Sequence, residues 1–272
     1  MNRYKFEKEA HVHSLDQKRL YGTTTILDVL GKSLTWWSSG LAVAELGWLN
    51  PKLHTPEERM DASQIGHATI LNMTPKEFQA LLDKAYRAHK TTLDKKADDG
   101  TDLHHELSVY VQSQIDGVPF GQSTCSPKYW DKVHQFIEWS KVNVREFILS
   151  EAHCYSERLW VGGQFDLLYI DNQGRMMLGD FKSAKDCYFS QFVQLGGYDI
   201  QLSENGALDK DGNMLYRPPT PSIQGHAVFF FGAKTFEPAI SFNTARNKRA
   251  FESCVSLYKD RESWNQEFGR ES

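Results

Sequence analysis

The chain has 272 residues, 40% of them hydrophobic and 24% charged, with a formal net charge of −4. This length suits one well-cored domain with decorations or two small domains, and the composition excludes a disordered or fibrous chain. The acidic balance excludes a protein held on nucleic acid by bulk positive charge, yet leaves room for a local basic groove around a negative centre. No run approaches the roughly 20 apolar residues of a membrane helix, and the opening MNRYKFEKEAHVHS has no signal-peptide core. A cytoplasmic protein without a membrane partner is expected.

In chain order, residues 1–22 read as a short hairpin or extended arm. His11 and His13 share a strand face there; with no third ligand in view, they are expected as surface histidines. Residues 24–50 have a helical pattern interleaved with Trp36, Trp37 and Trp48. Those rings either fill a core or stack on bases. A helix opens at Thr74-Pro75-Lys76-Glu77, which supplies an N-cap, a first-turn proline and a capping box. It runs into the charged stretch 89–99, read as a solvated helix end and linker. GTDLHHELSVYVQSQ is then a new helix started by Thr101 or Asp102, and another follows over 127–142.

Beyond it the period changes to two or to continuous apolar runs. Strands are expected at 146–155, 160–171 and 175–183. A helix over 188–202 contains Gly196 and Gly197, each lowering its propensity by roughly 1 kcal/mol. SIQGHAVFFFG reads as a buried strand, FEPAISF as an edge strand and 243–265 as a closing helix. DKDGN (209–213) lacks the spaced ligands of a calcium loop and reads as a turn. Cys125, Cys154, Cys187 and Cys254 form no C-x-x-C pair, so reduced thiols are expected rather than a metal cluster. The element order predicts an α/β layer arrangement, with an N-terminal arm and helical region over 1–99 and the core over 100–272.

The chemistry concentrates in LWVGGQFDLLYIDNQGRMMLGDFKSAK (159–185). A three-residue hairpin loop, Asn172-Gln173-Gly174, sets Asp171 opposite Arg175 and hence Asp166 opposite Asp180. Lys182 then points to the same face. A four-residue loop would put the aspartates on opposite faces, so the inference depends on register. Facing carboxylates in an apolar hairpin repel, and a hard cation such as Mg²⁺ resolves the conflict. Lys182 can then orient a water or offset charge on a phosphoryl transition state.

Gly163-x-x-Asp166 followed by Asp180-Phe181-Lys182 resembles the PD-(D/E)XK nuclease signature. Gln194-Leu195-Gly196-Gly197-Tyr198 matches the Q-x-x-x-Y motif of the RecB-like branch, and Gly100-Thr101-Asp102-Leu103-His104 its G-x-x-x-H motif. The four elements stand in the family's order over residues 100–200. The TTTIL…WW stretch is similar to the N-terminal region of phage and prophage RecB-like exonucleases.

The resemblance implies a restriction-endonuclease-like core, a central mixed sheet flanked by helices. It implies a metal-dependent DNA exonuclease using Mg²⁺ or Mn²⁺, located in the host cytoplasm if phage-encoded and serving recombination or DNA processing. A single-strand annealing or recombination protein is its implied partner beside DNA. Alternatives are a structure-selective endonuclease or a non-catalytic nucleic-acid-binding module. By resemblance, Asp166 and Asp180 bind metal, the Phe181 carbonyl adds a ligand and Lys182 is the catalytic lysine. Gln194 and Tyr198, on one helix face, position the lysine or the DNA backbone. His104 is a metal ligand; helical spacing puts it with Leu107 and Val111 on the apolar face, and His105 towards solvent. Glu151 either assists a second metal or is a strand-edge surface carboxylate. The cysteine set of cluster-bearing relatives is missing.

Overall fold

A computed structural model describes residues 2–31, 35–218, 222–232 and 236–270, without the side chains of residues 35, 36 and 96–99. It divides into two units, Met1–Gly31 with Asp102–Ser272, and Lys32–Thr101.

The arm begins with β1 (Tyr4–Glu7), β2 (Val12–Leu15) and β3 (Lys18–Arg19), an antiparallel three-stranded sheet. Tyr4 and Phe6 are buried and Lys5 and Glu7 exposed, the period-two pattern of a half-buried strand. The same alternation carries His13 inward with Leu15, against the expectation of a surface position. Its Nδ1 lies 2.6 Å from the Tyr4 hydroxyl. His11, in the preceding turn, is exposed as expected. The arm continues through β4 (Tyr21–Gly22) into the short α1 (Thr23–Ile26).

The second unit consists of α2 (Thr35–Ala44), α3 (Pro56–Leu71) and the first part of α4 (Pro75–Ile115). The predicted capping box forms: Thr74 N donates to Glu77 Oε2 and Glu77 N to Thr74 Oγ1. α4 then runs for 41 residues, so the expected linker at 89–99 and fresh helix start at 101–102 are both overturned. One interior glycine, Gly100, costs about 1 kcal/mol, too little to stop a helix whose neighbouring Ala, Leu, Lys and Glu residues favour it. The helical expectation for 24–50 breaks into pieces, and residues 32–34 and the Trp36 side chain lie outside the described residues. Trp37 is half-buried and Trp48 is exposed.

In the first unit the last turns of α4 are followed by α5 (Trp130–Asn143), then β5 (Val144–Ser156), β6 (Val161–Asp171) and β7 (Met176–Lys182). α6 (Phe189–Asn205), β8 (Ala207–Leu208), β9 (Met214–Tyr216), β10 (Gly225–Phe230), β11 (Ala239–Ser241) and α7 (Thr244–Glu267) complete it. The sheet has eight strands in the order β11-β10-β7-β6-β5-β8-β9, with β4 added on β6. β10 runs parallel to β7 and β4 parallel to β6, while the central β5–β6–β7 meander is antiparallel. The fold is therefore α/β, with a mixed sheet flanked by helices.

Two apolar layers hold the helices on the sheet. Leu103, Leu107 and Val111 of α4 join Phe136 of α5 against Leu167, Phe181 and Phe229. Leu195, Tyr198 and Leu202 of α6 pack with Cys154, Leu168 and Val228, and Phe251 and Val255 of α7 pack with Val193 and Ile200 of α6. The β6–β7 loop is the three-residue turn read from the sequence. Gly174 has φ of 81°, Leu167 pairs with Gly179 and Ile170 with Met176. Asp171 pins the turn by accepting from the amides of Gln173 and Arg175. DKDGN is a turn between β8 and β9, its Asp209 accepting from the Asp211 and Asn213 amides. The expected 1–99 block is split: the arm belongs with the sheet, because β4 pairs with β6 and Tyr4, Leu15 and Leu20 share a core with Leu208.

Candidate metal centre

The register of the three central strands places one carboxylate on each. Ser150 pairs with Leu167 and Ala152 with Phe165, so Glu151 of β5 lies opposite Asp166 of β6. Leu167 pairs with Gly179, so Asp180 of β7 flanks Asp166 on its other side. α4 adds an imidazole from the helix layer, with His104 Nδ1 3.5 Å from Asp166 Oδ2. Ligand atoms of His104, Glu151 and Asp166 lie within 4.8 Å of one another, the one such trio found among the described residues. The helical face works as read: His104 is half-buried between buried Leu103 and Leu107, and His105 is exposed.

Asp166 is anchored by the Phe181 amide, which donates to Oδ2 at 2.6 Å. Asp180, 1% exposed, accepts a hydrogen bond from Lys182 Nζ through Oδ1 at 2.8 Å. Its Oδ2 is 2.6 Å from the same ammonium but off the hydrogen-bonding direction, and it has no hydrogen bond at all. This buried oxygen is left with one ammonium that it shares with Oδ1, short of the hydrogen bonds a buried carboxylate normally collects.

The electrostatics carry the same message. Burial lifts the Asp180 carboxyl to about 6, opposed by Lys182 and reinforced by Asp166. Burial, then Asp166 and Asp180, lift Glu151 to about 8 despite Lys182 and a hydrogen bond from Gln164. Burial alone would lower Lys182, but Asp180, Asp166 and Glu151 outweigh it and raise its proton affinity. One ammonium thus faces three carboxylates. The backbone adds strain: Glu151 sits at φ of 52° within β5, where a non-glycine residue costs about 1–2 kcal/mol. Gln164 Nε2 holds its side chain with a 2.6 Å hydrogen bond to Oε2. A hard divalent cation fits this set, since carboxylate oxygens suit Mg²⁺ and an added imidazole admits Mn²⁺.

α6 supplies the Q-x-x-x-Y pair, both buried. Gln194 Nε2 donates to the Tyr198 hydroxyl at 2.9 Å. Burial, then Asp180, raise the phenol well above its usual range, so it stays neutral near the carboxylates. The pair bond each other and Lys182 bonds Asp180, so a direct hold of Gln194 or Tyr198 on the lysine is not what the side chains make. Gly163 is required by packing: a Cβ there would stand 2.4 Å from Thr23 Oγ1 and 2.6 Å from Tyr198 Cε1.

Glu151 is the residue whose role the sequence left undivided, and it lies inside the cluster. Ser156 pairs with Val161 across a four-residue connection; counting back along that register reaches Glu151 opposite Asp166. The four cysteines are free, as expected, and no described helix is long and apolar enough to cross a membrane.

No family model and no curated protein matches the chain. Among solved structures it is similar to one described as "Crystal structure of SSO0001". That match has 13% identity and a TM-score of 0.28, over 58% of this chain and 74% of that one. A likeness at that level carries no inference about the site.

Proposed function

We propose that the protein is a divalent-metal-dependent DNA exonuclease that hydrolyses phosphodiester bonds, built on a restriction-endonuclease-like core of the RecB-like branch. The observation carrying this reading is the row Glu151, Asp166 and Asp180 across three adjacent strands, with Lys182 as the ammonium beside it and one buried oxygen of Asp180 left without a hydrogen bond. The order of the four sequence motifs supports it independently.

Asp166, Asp180, Glu151 and His104 would hold the ion, with the Phe181 carbonyl as a further ligand. When bound, Mg²⁺ or Mn²⁺ supplies Lewis-acid stabilisation of the phosphoryl oxygens and acidifies a ligated water. Lys182 keeps its proton, because its acidic neighbours raise its proton affinity. It therefore acts as a hydrogen-bond donor to the attacking water or the phosphoryl group rather than as a base. Gln194 and Tyr198, buried and bonded to each other, would act as a rigid polar pair beside the carboxylates.

The test is incubation with Mg²⁺ or Mn²⁺ and end-labelled linear, circular, single-stranded and double-stranded DNA. Degradation of linear but not circular DNA is expected, and cutting of circles would make the protein an endonuclease. Lys182→Ala should lose most turnover while keeping metal affinity. An equal collapse of metal affinity would make the lysine structural.

A further inference from the structure

β7 ends at Lys182, and a loop over residues 183–188 leads into the first turn of α6. The loop begins against the end of the sheet beside the carboxylates. There the Phe231 amide donates to the Lys182 carbonyl at 2.9 Å and the Gly232 amide to the Ala184 carbonyl at 2.8 Å. Burial, then Asp186 and Asp180, push the Cys187 thiol up, so residue 187 lies within electrostatic reach of Asp180. The next two residues, Tyr188 and Phe189, are 57% and 60% exposed. Neither ring stacks on another aromatic ring or on a cation among the described residues. Their backbone is nevertheless held. The Tyr188 amide donates to Gln191 Oε1 at 2.8 Å and its carbonyl accepts from the Gln191 amide at 3.0 Å. Gln191 is buried and shares its helix face with Gln194 and Tyr198, at i, i+3 and i+7.

We propose that Tyr188 and Phe189 form a stacking platform for unpaired nucleobases of the DNA strand, a few nucleotides from the cut. This role rests on the nuclease reading and deepens it, naming a single strand or the frayed end of a duplex as what the site takes. Every base has a π face, but inside a duplex the neighbouring pairs cover it. Only an unpaired or terminal base offers that face to a protein ring. From Phe189 to Tyr198 the helix rises about 14 Å, the length of about four stacked nucleotides. Tyr198 in turn is near enough to Asp180 for that carboxylate to raise its phenol. Lys185, exposed and without an ion pair among the described residues, adds a cation for the strand's phosphates. Size argues against a protein occupant. Two rings bury roughly 150–250 Å² each, whereas each side of a stable protein interface contributes about 800 Å². The flanking Ser183, Lys185 and Asp186 are exposed and polar, so the apolar patch does not extend along the loop.

The experiment uses the full chain with Ca²⁺ in place of Mg²⁺ and a short oligothymidylate carrying one 2-aminopurine, a base whose fluorescence falls when it stacks. Binding should quench the probe, and anisotropy should show the single strand held more tightly than the matching duplex. Tyr188→Ala combined with Phe189→Ala should abolish the quench and weaken single-strand affinity at least about tenfold, the scale of one or two stacked bases. Tyr188→Phe combined with Phe189→Tyr, which exchanges the rings, should keep both. Unchanged melting of the alanine variant, expected for exposed side chains, separates lost stacking from misfolding. A strand of abasic sites should bind the wild type and the alanine variant alike. Quenching and affinity that survive both alanines, or equal affinity of the wild type for abasic strand and oligothymidylate, would overturn the platform. So would self-association of the wild type that the alanines abolish, which would give the rings to a second copy. The two readings fail separately. Ring-dependent binding without Mg²⁺-dependent cleavage removes the nuclease and keeps the platform. Cleavage of single strands that the alanines leave unchanged removes the platform and keeps the nuclease.

Discussion

Asp180 and Asp199 are both buried aspartates of one unit, 1% and 0% exposed, yet their surroundings differ in kind. Asp199 is saturated. Its Oδ1 accepts from the Ser203 hydroxyl at 3.1 Å, and its Oδ2 lies 3.2 Å from both His226 Nε2 and Lys248 Nζ. Asn247 Nδ2 is 2.9 Å from the other nitrogen of His226, so the imidazole carries its proton on the side facing Asp199. This network ties α6 to β10 and α7. Asp180 has one ammonium and two further carboxylates about it, and one of its oxygens has no hydrogen bond. The aspartate that ties the fold together is surrounded by donors, whereas Asp180 has one ammonium and otherwise its own kind.

The sharpest way to break the contrast is to delete each carboxylate. Asp180→Ala should lower cleavage by about a thousandfold or more, the worth of several kcal/mol of metal-derived transition-state stabilisation. Its metal-free stability should be equal or higher, since repulsion is relieved. Near-wild-type cutting would sink the assignment. Asp199→Ala should do the reverse in denaturant unfolding, costing about 2–3 kcal/mol because His226 and the partly exposed Lys248 lose their partner. If metal-free Asp180→Ala proved the less stable of the two, the comparison would fall.

pH separates the clusters further. The Glu151 carboxyl sits at about 8 in the fold against an ordinary 4.5. A raised value means the folded protein binds the proton more tightly, so this contribution is complete below about pH 4.5 and is lost as pH rises through 8. Metal-free wild type should therefore lose stability over that window relative to Glu151→Gln, by up to about 1.4 kcal/mol per pH unit, and added Mg²⁺ or Mn²⁺ should restore it. Parallel profiles for the two proteins would show that Glu151 is not held protonated.

The smallest effect belongs to the helix. His104→Ala should raise the metal concentration for half-maximal activity at least about tenfold, with partial rescue by excess Mn²⁺. His105→Ala should leave that titration in place, and equal behaviour of the two would remove α4 from the centre.

What could be read in advance was local. Asn172-Gln173-Gly174 sets a hairpin register by turn geometry, and that register alone puts Asp180 across from Asp166. The row's third member was hidden by a boundary: strands ending at 155 and beginning at 160 shift the β5–β6 pairing, and Glu151 then misses Asp166. α3 was legible and passed over, since Thr55-Pro56-Glu57-Glu58 repeats the capping signature of Thr74-Pro75-Lys76-Glu77 and forms its box. The docking of the arm was not legible. It depends on β4 pairing with β6 and on Thr23 meeting Gly162 and Gln201, contacts between residues more than a hundred positions apart that no local pattern encodes.

The left-handed backbone at Glu151 sets thermostability and function against each other at one position. Glycine would adopt that conformation freely and asparagine nearly so, and either would also remove a carboxylate from a crowded row. A selection for heat resistance alone should therefore enrich Glu151→Gly or Glu151→Asn, each gain erasing a carboxylate of the proposed centre. A selection for turnover should restore glutamate despite its backbone, so the direction in which residue 151 drifts would report which property the molecule is being asked to keep.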